Sequence, residues 1–317
     1  MKSKPVPSYL TISNSEFIAK IDGLYELSEN CGLCPRKCGA KRLKGEKGLC
    51  GAADKLKIAS INLHFGEEPP ISGKTGSGTV FFSGCSLKCK FCQNYPISRF
   101  CVGNIYDASE LAGGMIKLQE KGACNINLVS SAHYMPFVAE AIYLAKEQGL
   151  KIPIVYNSSG YEEEKLLAFL DKIIDIYLPD IKYSDDRYAL KYSGAPDYVG
   201  VNRKALKVMY GQVGELIVDK NGKAVRGLLI RHLVLPEGIS GSADSFEYIG
   251  RALGDNVPIS LMNQYFPAYK AAYDSKINRK ITDDEYLDAV KEIIRMNLTG
   301  FFQRSDNLDI DNMYGLI

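Results

Sequence analysis

Six times after Thr79 a short apolar run is followed by a stretch with helical spacing, and this alternation limits the fold more than any other feature of the chain. Residues 79–83 read as the first strand. Its helix is opened by Asp107 with Glu110 three residues on, striped by Leu111, Met115 and Leu118, and stopped by Gly122. Residues 125–130 are the second strand, and Pro136 starts a helix carrying Val138, Ala141, Ile142 and Ala145. Residues 152–156 precede a helix with an acidic first turn at 162–164. Residues 174–178 precede a helix from about Asp197, and residues 228–235 one that holds Phe246, Ile249 and Leu253. Residues 259–262 precede a helix opened by Thr282 and Glu285. Strands joined through helices run parallel, so the expectation is an α/β fold, a partial (β/α)6 TIM-type barrel open on one side.

In such barrels the reactive groups gather where the strands end. The first strand leads into Gly84 and then Cys85, Cys89 and Cys92, spaced C-x3-C-x2-C. Three thiolates cannot close a tetrahedral zinc site without a fourth ligand, and none stands nearby at a suitable offset. They can hold three irons of a [4Fe–4S] cluster and leave the fourth open for chemistry. The other strands deliver Ser130, Ser131 and His133, then Asn157 and Ser159, Asp180 and Lys182, Arg231 and His232, and last Asn263, Gln264 and Tyr265. Polar residues recurring on one rim suit a polar, charged ligand. Asp180 and Lys182 share a strand face and could simply pair with each other, whereas Arg231 and His232 alternate, so only one faces the site. His133, at a strand tip, is the best histidine candidate, and His64 reads as a packing or surface histidine. Cys101 and Cys124 match no ligand spacing. The sequence alone singles out no catalytic side chain.

Ahead of the barrel, Phe17, Ile18, Ile21, Leu24 and Tyr25 mark a helix capped within 13–15. Cys31, Cys34, Cys38 and Cys50 follow, spaced C-x2-C-x3-C-x11-C. Four cysteines complete a second metal site with no vacancy, in a structural or relay role, and both zinc and an iron–sulfur cluster are compatible with it. Residues 56–65 alternate as a strand or hairpin. The Gly- and Pro-rich connector at 66–78 reads as a linker, which divides the chain into a helix and Cys-rich module at 1–75 and the barrel with its C-terminal helix at 76–317. Net charge is +2 over 317 residues with no long basic run, which gives no reason to expect a nucleic-acid partner. No apolar run reaches membrane-spanning length, the N-terminus is polar, and most of the nine cysteines cluster at ligand spacings. A cytoplasmic protein with no membrane partner is expected.

The cysteine motif with Gln93 and Asn94 resembles that of the radical S-adenosylmethionine (SAM) enzymes, and specifically the uncharacterised branch similar to pyruvate formate-lyase activating enzymes. The likeness extends through Cys31 to Cys38, Asn125 to Tyr134, Tyr156 to Tyr161, Tyr177 to Tyr183, Arg226 to Pro236 and Ser260 to Pro267. It implies an oxidoreductase with a [4Fe–4S] cluster on Cys85, Cys89 and Cys92 and SAM chelating the open iron. It places Asp180 and Lys182 at the methionyl part, Asn157 and Ser159 near the ribose, and Arg231 on the fifth strand. Activating enzymes carry a Gly-Gly-Glu-type segment for the SAM amino group where this chain has Ser131-Ala132-His133, so Ser130 or His133 becomes the candidate partner there. The implied chemistry is reductive cleavage of SAM to a 5′-deoxyadenosyl radical that abstracts hydrogen, with a flavodoxin or ferredoxin-like electron donor. The target is a glycine in a partner protein or, alternatively, a small metabolite or modified residue. A non-catalytic iron–sulfur or zinc scaffold is the third reading.

Overall fold

The computed structural model describes residues 6–303. Helix α1 (Asn14–Glu29) is capped by Ser13, whose side chain accepts the Glu16 amide, and it buries Phe17, Ile21 and Leu24. Strand β1 (Leu56–His64), the short helix α2 (Pro69–Ser72) and strand β2 (Ser77–Phe82) come next. They are followed by α3 (Tyr95–Ser98), β3 (Asn104–Tyr106), α4 (Ala108–Glu120), β4 (Ile126–Val129) and α5 (Met135–Glu147). Then come β5 (Ile154–Ser158), α6 (Glu164–Leu170), β6 (Ile176–Pro179), α7 (Asp186–Ser193) and α8 (Tyr198–Val213). The last part holds β7 (Ile217–Val218), β8 (Ala224–Leu228), β9 (Ile230–Leu233), α9 (Ser242–Leu253), β10 (Ile259–Met262), α10 (Asp283–Arg295) and β11 (Gly300–Phe302).

All six anticipated strand–helix pairs are present. Strands β2, β4, β5 and β6 are parallel neighbours, and β9, β10 and β11 form a second parallel group. The two groups meet where Asp180, just past β6, bridges to Arg231 on β9. The helices bury their apolar stripes against the sheet, and the capping boxes at Asp107–Glu110 and Thr282–Glu285 both form.

Three local readings change. The run at 228–235 is not one strand. Strand β8 pairs with the start of β6 and with β7, and the chain turns at Leu229, whose amide donates to Tyr177 O, before β9 takes up β10. Helix α7 and strand β11 carried too few periodic apolar residues to be read from sequence. The connector at 66–78 is more than a linker, since it contains α2 and the first residues of β2. Strands β1 and β2 pair antiparallel from Ile58–Phe82 to His64–Ser77, so one sheet spans the division drawn at 75/76. The apolar core is shared as well, joining Phe17, Leu24 and Cys31 to Leu128, Leu166 and Tyr177.

Candidate active site

A cavity of about 590 Å³ lies inside the curled sheet, with the cysteine loop as its roof. Cys85, Cys89 and Cys92 all line it. The loop leaves β2 at Gly84, which has φ 87 and abuts the N-terminal module: a Cβ there would sit 2.5 Å from Cys50 O, so glycine is required. The end of α7 holds the loop, as Ser193 O and Tyr192 O accept the amides of Lys88 and Lys90, each at 2.8 Å. Ser193 Oγ lies 3.0 Å from Cys89 Sγ and Ser98 Oγ 3.1 Å from Cys92 Sγ. The Arg99 guanidinium donates to the carbonyls of Cys85 and Leu87. On the far side Gln93 Nε2 donates to Gln264 O at 2.7 Å, and Phe91 meets Tyr265 edge-on with centroids 5.7 Å apart.

The rim contains most of the residues expected there. Ser130, Asn157, Ser159, Asp180, Lys182 and Arg231 all border the cavity. Ser130 holds a positive φ of 57, and its amide donates to Asn157 O at 2.9 Å. Lys182 Nζ donates to Asp180. Burial disfavours its ammonium, but the Asp180 carboxylate beside it wins and holds its pKa above the ordinary lysine value. Sequence reasoning missed the buttress behind this rim, on α8. Tyr198 Oη donates to Ser159 O at 2.9 Å and accepts the Lys182 amide at 3.0 Å. Asn202 Nδ2 donates to Asp180 O at 2.9 Å and Gly160 O at 3.1 Å. Gly160 has φ 68, and a Cβ there would overlap both Asp180 O and Asn202 Nδ2. A buried tyrosine and asparagine one turn apart on an apolar helix face were the available signal.

His133 does not reach the cavity. It is fully buried with Nε2 2.8 Å from Ser83 O and its ring against Tyr134, and burial depresses its pKa to about 3. It supports the strand tip as a neutral ring. His232 also packs, with Nδ1 on Ile181 O at 2.7 Å and Nε2 on Ser242 Oγ at 2.9 Å. His64 borders the cavity.

The floor is the largest departure from the sequence reading. Arg231 does not present a free guanidinium; it pairs with both Glu67 and Glu68 from the connector before β2. Glu67 also accepts Asn127 Nδ2 at 3.0 Å. Burial alone would raise the Glu68 carboxyl, but Arg231 prevails and holds it below the ordinary value. Adjacent acids between two turn-forming segments were the only signal in sequence.

The donor set fits an iron–sulfur cluster. Three sulfurs line one cavity, hydroxyls stand at two of them, and buried guanidinium nitrogens of Arg36 and Arg99 beside the loop have no partner of their own among the described residues. Such donors suit the negative charge of a thiolate-ligated cluster.

Comparison with known proteins agrees. Residues 79–208 match the Radical SAM superfamily, an enzyme class that uses a [4Fe–4S] cluster and SAM. An uncharacterised protein of Methanocaldococcus jannaschii is 29% identical over 292 residues, which cover 88% of this chain and 78% of that protein. The pyruvate formate-lyase-activating enzyme of Clostridium pasteurianum is 28% identical over 113 residues, 34% of this chain and 46% of that enzyme, so the match spans less than half its length. Among solved structures, a radical SAM methyltransferase from Sphaerobacter thermophilus aligns with TM-score 0.48 and 16% identity, over 74% of this chain and 68% of its own. SuiB of Streptococcus suis bound to S-adenosylmethionine aligns with TM-score 0.49 and 12% identity, over 70% and 48%. No described helix is long and apolar enough to cross a membrane.

Proposed function

We propose that Cys85, Cys89 and Cys92 ligate the [4Fe–4S] cluster, that Ser130, Asn157, Ser159, Asp180 and Lys182 hold SAM, and that the hydrogen donor is a glycine of a partner polypeptide. The observation that carries this reading is the convergence of the three sulfurs and five rim residues on one cavity. When bound and reduced by a one-electron donor such as flavodoxin or ferredoxin, the cluster and SAM supply a 5′-deoxyadenosyl radical that abstracts a hydrogen atom.

The chain's own residues do the rest. Asp180 and Lys182 offer a carboxylate and an ammonium side by side, which matches the zwitterionic end of an amino acid such as the methionyl part of SAM. Tyr198 and Asn202 fix the backbone of that pair, so orientation is set before the ligand arrives. Phe82, Val129, Leu233 and Met262 give the cavity apolar walls that exclude water and stray hydrogen donors. His133, buried and neutral behind the strand, is left out of the SAM contacts. With no carboxylate at 131–133, Asp180 becomes the candidate for the SAM amino group.

The glycine target draws support from the segment similar to the Clostridium pasteurianum enzyme. One observation favours a second reading, a small polar metabolite as substrate: the charged floor of Glu67, Glu68 and Arg231 lines the same cavity. Anaerobic turnover with SAM and reductant separates the two. A glycyl-radical EPR doublet on a partner protein supports the first. Formation of 5′-deoxyadenosine that depends on a metabolite fraction, with no protein radical, supports the second.

A further inference from the structure

The four cysteines ahead of the barrel take no part in the cavity, yet the fold gathers them. We propose that Cys31, Cys34, Cys38 and Cys50 hold a second iron–sulfur cluster, lodged directly behind the roof of the active site. The sulfurs of Cys38 and Cys50 each lie 3.4 Å from the place a Cβ on Gly48 would take, so a side chain there would press on both. Cys31 and Cys38 are joined by a side-chain hydrogen bond, and Cys34 lies within electrostatic reach of both Cys31 and Cys50. Backbone amides point at the sulfurs: Arg36 to Cys34, Ala40 and Leu49 to Cys38, and Ala52 to Cys50. Amide donors beside sulfur are the hydrogen-bonding surroundings of metal-bound cysteines.

A second, independent observation comes from Arg42. Its guanidinium is buried, with the residue 2% exposed, and Nη1 lies 3.9 Å from Cys31 Sγ. Nη2 donates to Ala53 O, Nε has no partner, and among the described residues no carboxylate pairs with it. A buried cation needs a nearby anion. A four-thiolate centre supplies one.

The neighbouring roof favours one kind of centre. A redox-active cluster set against the open one can pass it electrons, whereas zinc has no redox chemistry of its own.

The two groups are tied together. The Cys85 amide donates to Cys50 O at 3.1 Å, Arg36 Nε to Ser86 O at 3.0 Å, and Lys88 Nζ to Leu49 O at 2.6 Å. Ligand-bearing residues of the two centres thus share a peptide hydrogen bond.

The test uses the full chain, reconstituted anaerobically with ferrous iron and sulfide, with iron, sulfide and zinc counted. The variant Cys85→Ala/Cys89→Ala/Cys92→Ala leaves the N-terminal group untouched and is expected to keep about half the iron and sulfide of the parent, a roughly twofold drop. Cys34→Ser/Cys38→Ser is expected to lose the other half. Iron retained in the first variant, with the low-temperature EPR of a reduced cluster, supports the second centre whatever becomes of the catalytic reading. A first variant free of iron, or one that carries zinc in its place, overturns it.

Discussion

The roof and the floor of the cavity are built on opposite principles. The roof is a loop whose side chains point into the cavity and whose backbone is held from outside, by Ser193, Tyr192 and Arg99. The floor is a set of side chains that hold one another, with Arg231 spent on Glu67 and Glu68. The difference teaches that the roof is free to bind while the floor is already satisfied. Changes at the roof therefore cost chemistry, and changes at the floor cost stability.

The strongest challenge to that division is Cys92→Ala. Cys92 is only partly buried. SAM cleavage should fall by more than about 100-fold, beyond the 10–100-fold cost of losing a supporting partner of a metal ligand, with little change in thermal midpoint. A large stability loss with activity retained would reverse the assignment. Arg231→Met is the converse and leaves two buried carboxylates without their cation. Urea unfolding should show a loss of about 3–5 kcal/mol, largely recovered when Glu67→Gln and Glu68→Gln are added. Gly160→Ala probes the join between rim and buttress. A non-glycine residue at that positive φ costs about 1–3 kcal/mol, and the overlap with Asp180 O should weaken SAM binding as well, measured by calorimetry.

The smallest effect is a pH dependence. Burial depresses the His232 pKa from 6.5 to about 4, against the weaker opposing pull of the Ile181 carbonyl. The folded chain keeps the ring neutral where the unfolded chain protonates it. Its contribution to stability is complete above pH 6.5 and drains as the pH falls toward 4, with about 2 kcal/mol lost by pH 5. His232→Gln should flatten that part of the melting-temperature profile between pH 7 and pH 5.

The roof was legible because a metal site writes its spacing into contiguous residues. Cys85, Cys89 and Cys92 sit within eight positions, and the strand before them is apolar. The six strand–helix units were legible for the same reason, since periodicity is local. The floor joins Glu67 to Arg231 across 164 positions, and nothing in either neighbourhood announces the partner. Tyr198 and Asn202 were hidden within an apolar helix stripe, where they read as interruptions. His133 lay at the expected strand tip, but its side chain points away from the cavity toward Ser83 O, a distinction that sequence position does not contain. Helix α7 was missed because it is only eight mostly polar residues long, yet its last carbonyls hold the roof in place.

The most direct measurement of the central claim is anaerobic incubation of the reconstituted chain with SAM and a strong one-electron reductant, with 5′-deoxyadenosine quantified by mass spectrometry beside the Cys92→Ala variant. The account predicts 5′-deoxyadenosine and methionine in equal amounts from the parent chain and neither from the variant. Equal yields from both, or a parent chain that holds zinc at Cys85, Cys89 and Cys92 and leaves SAM intact, would contradict it.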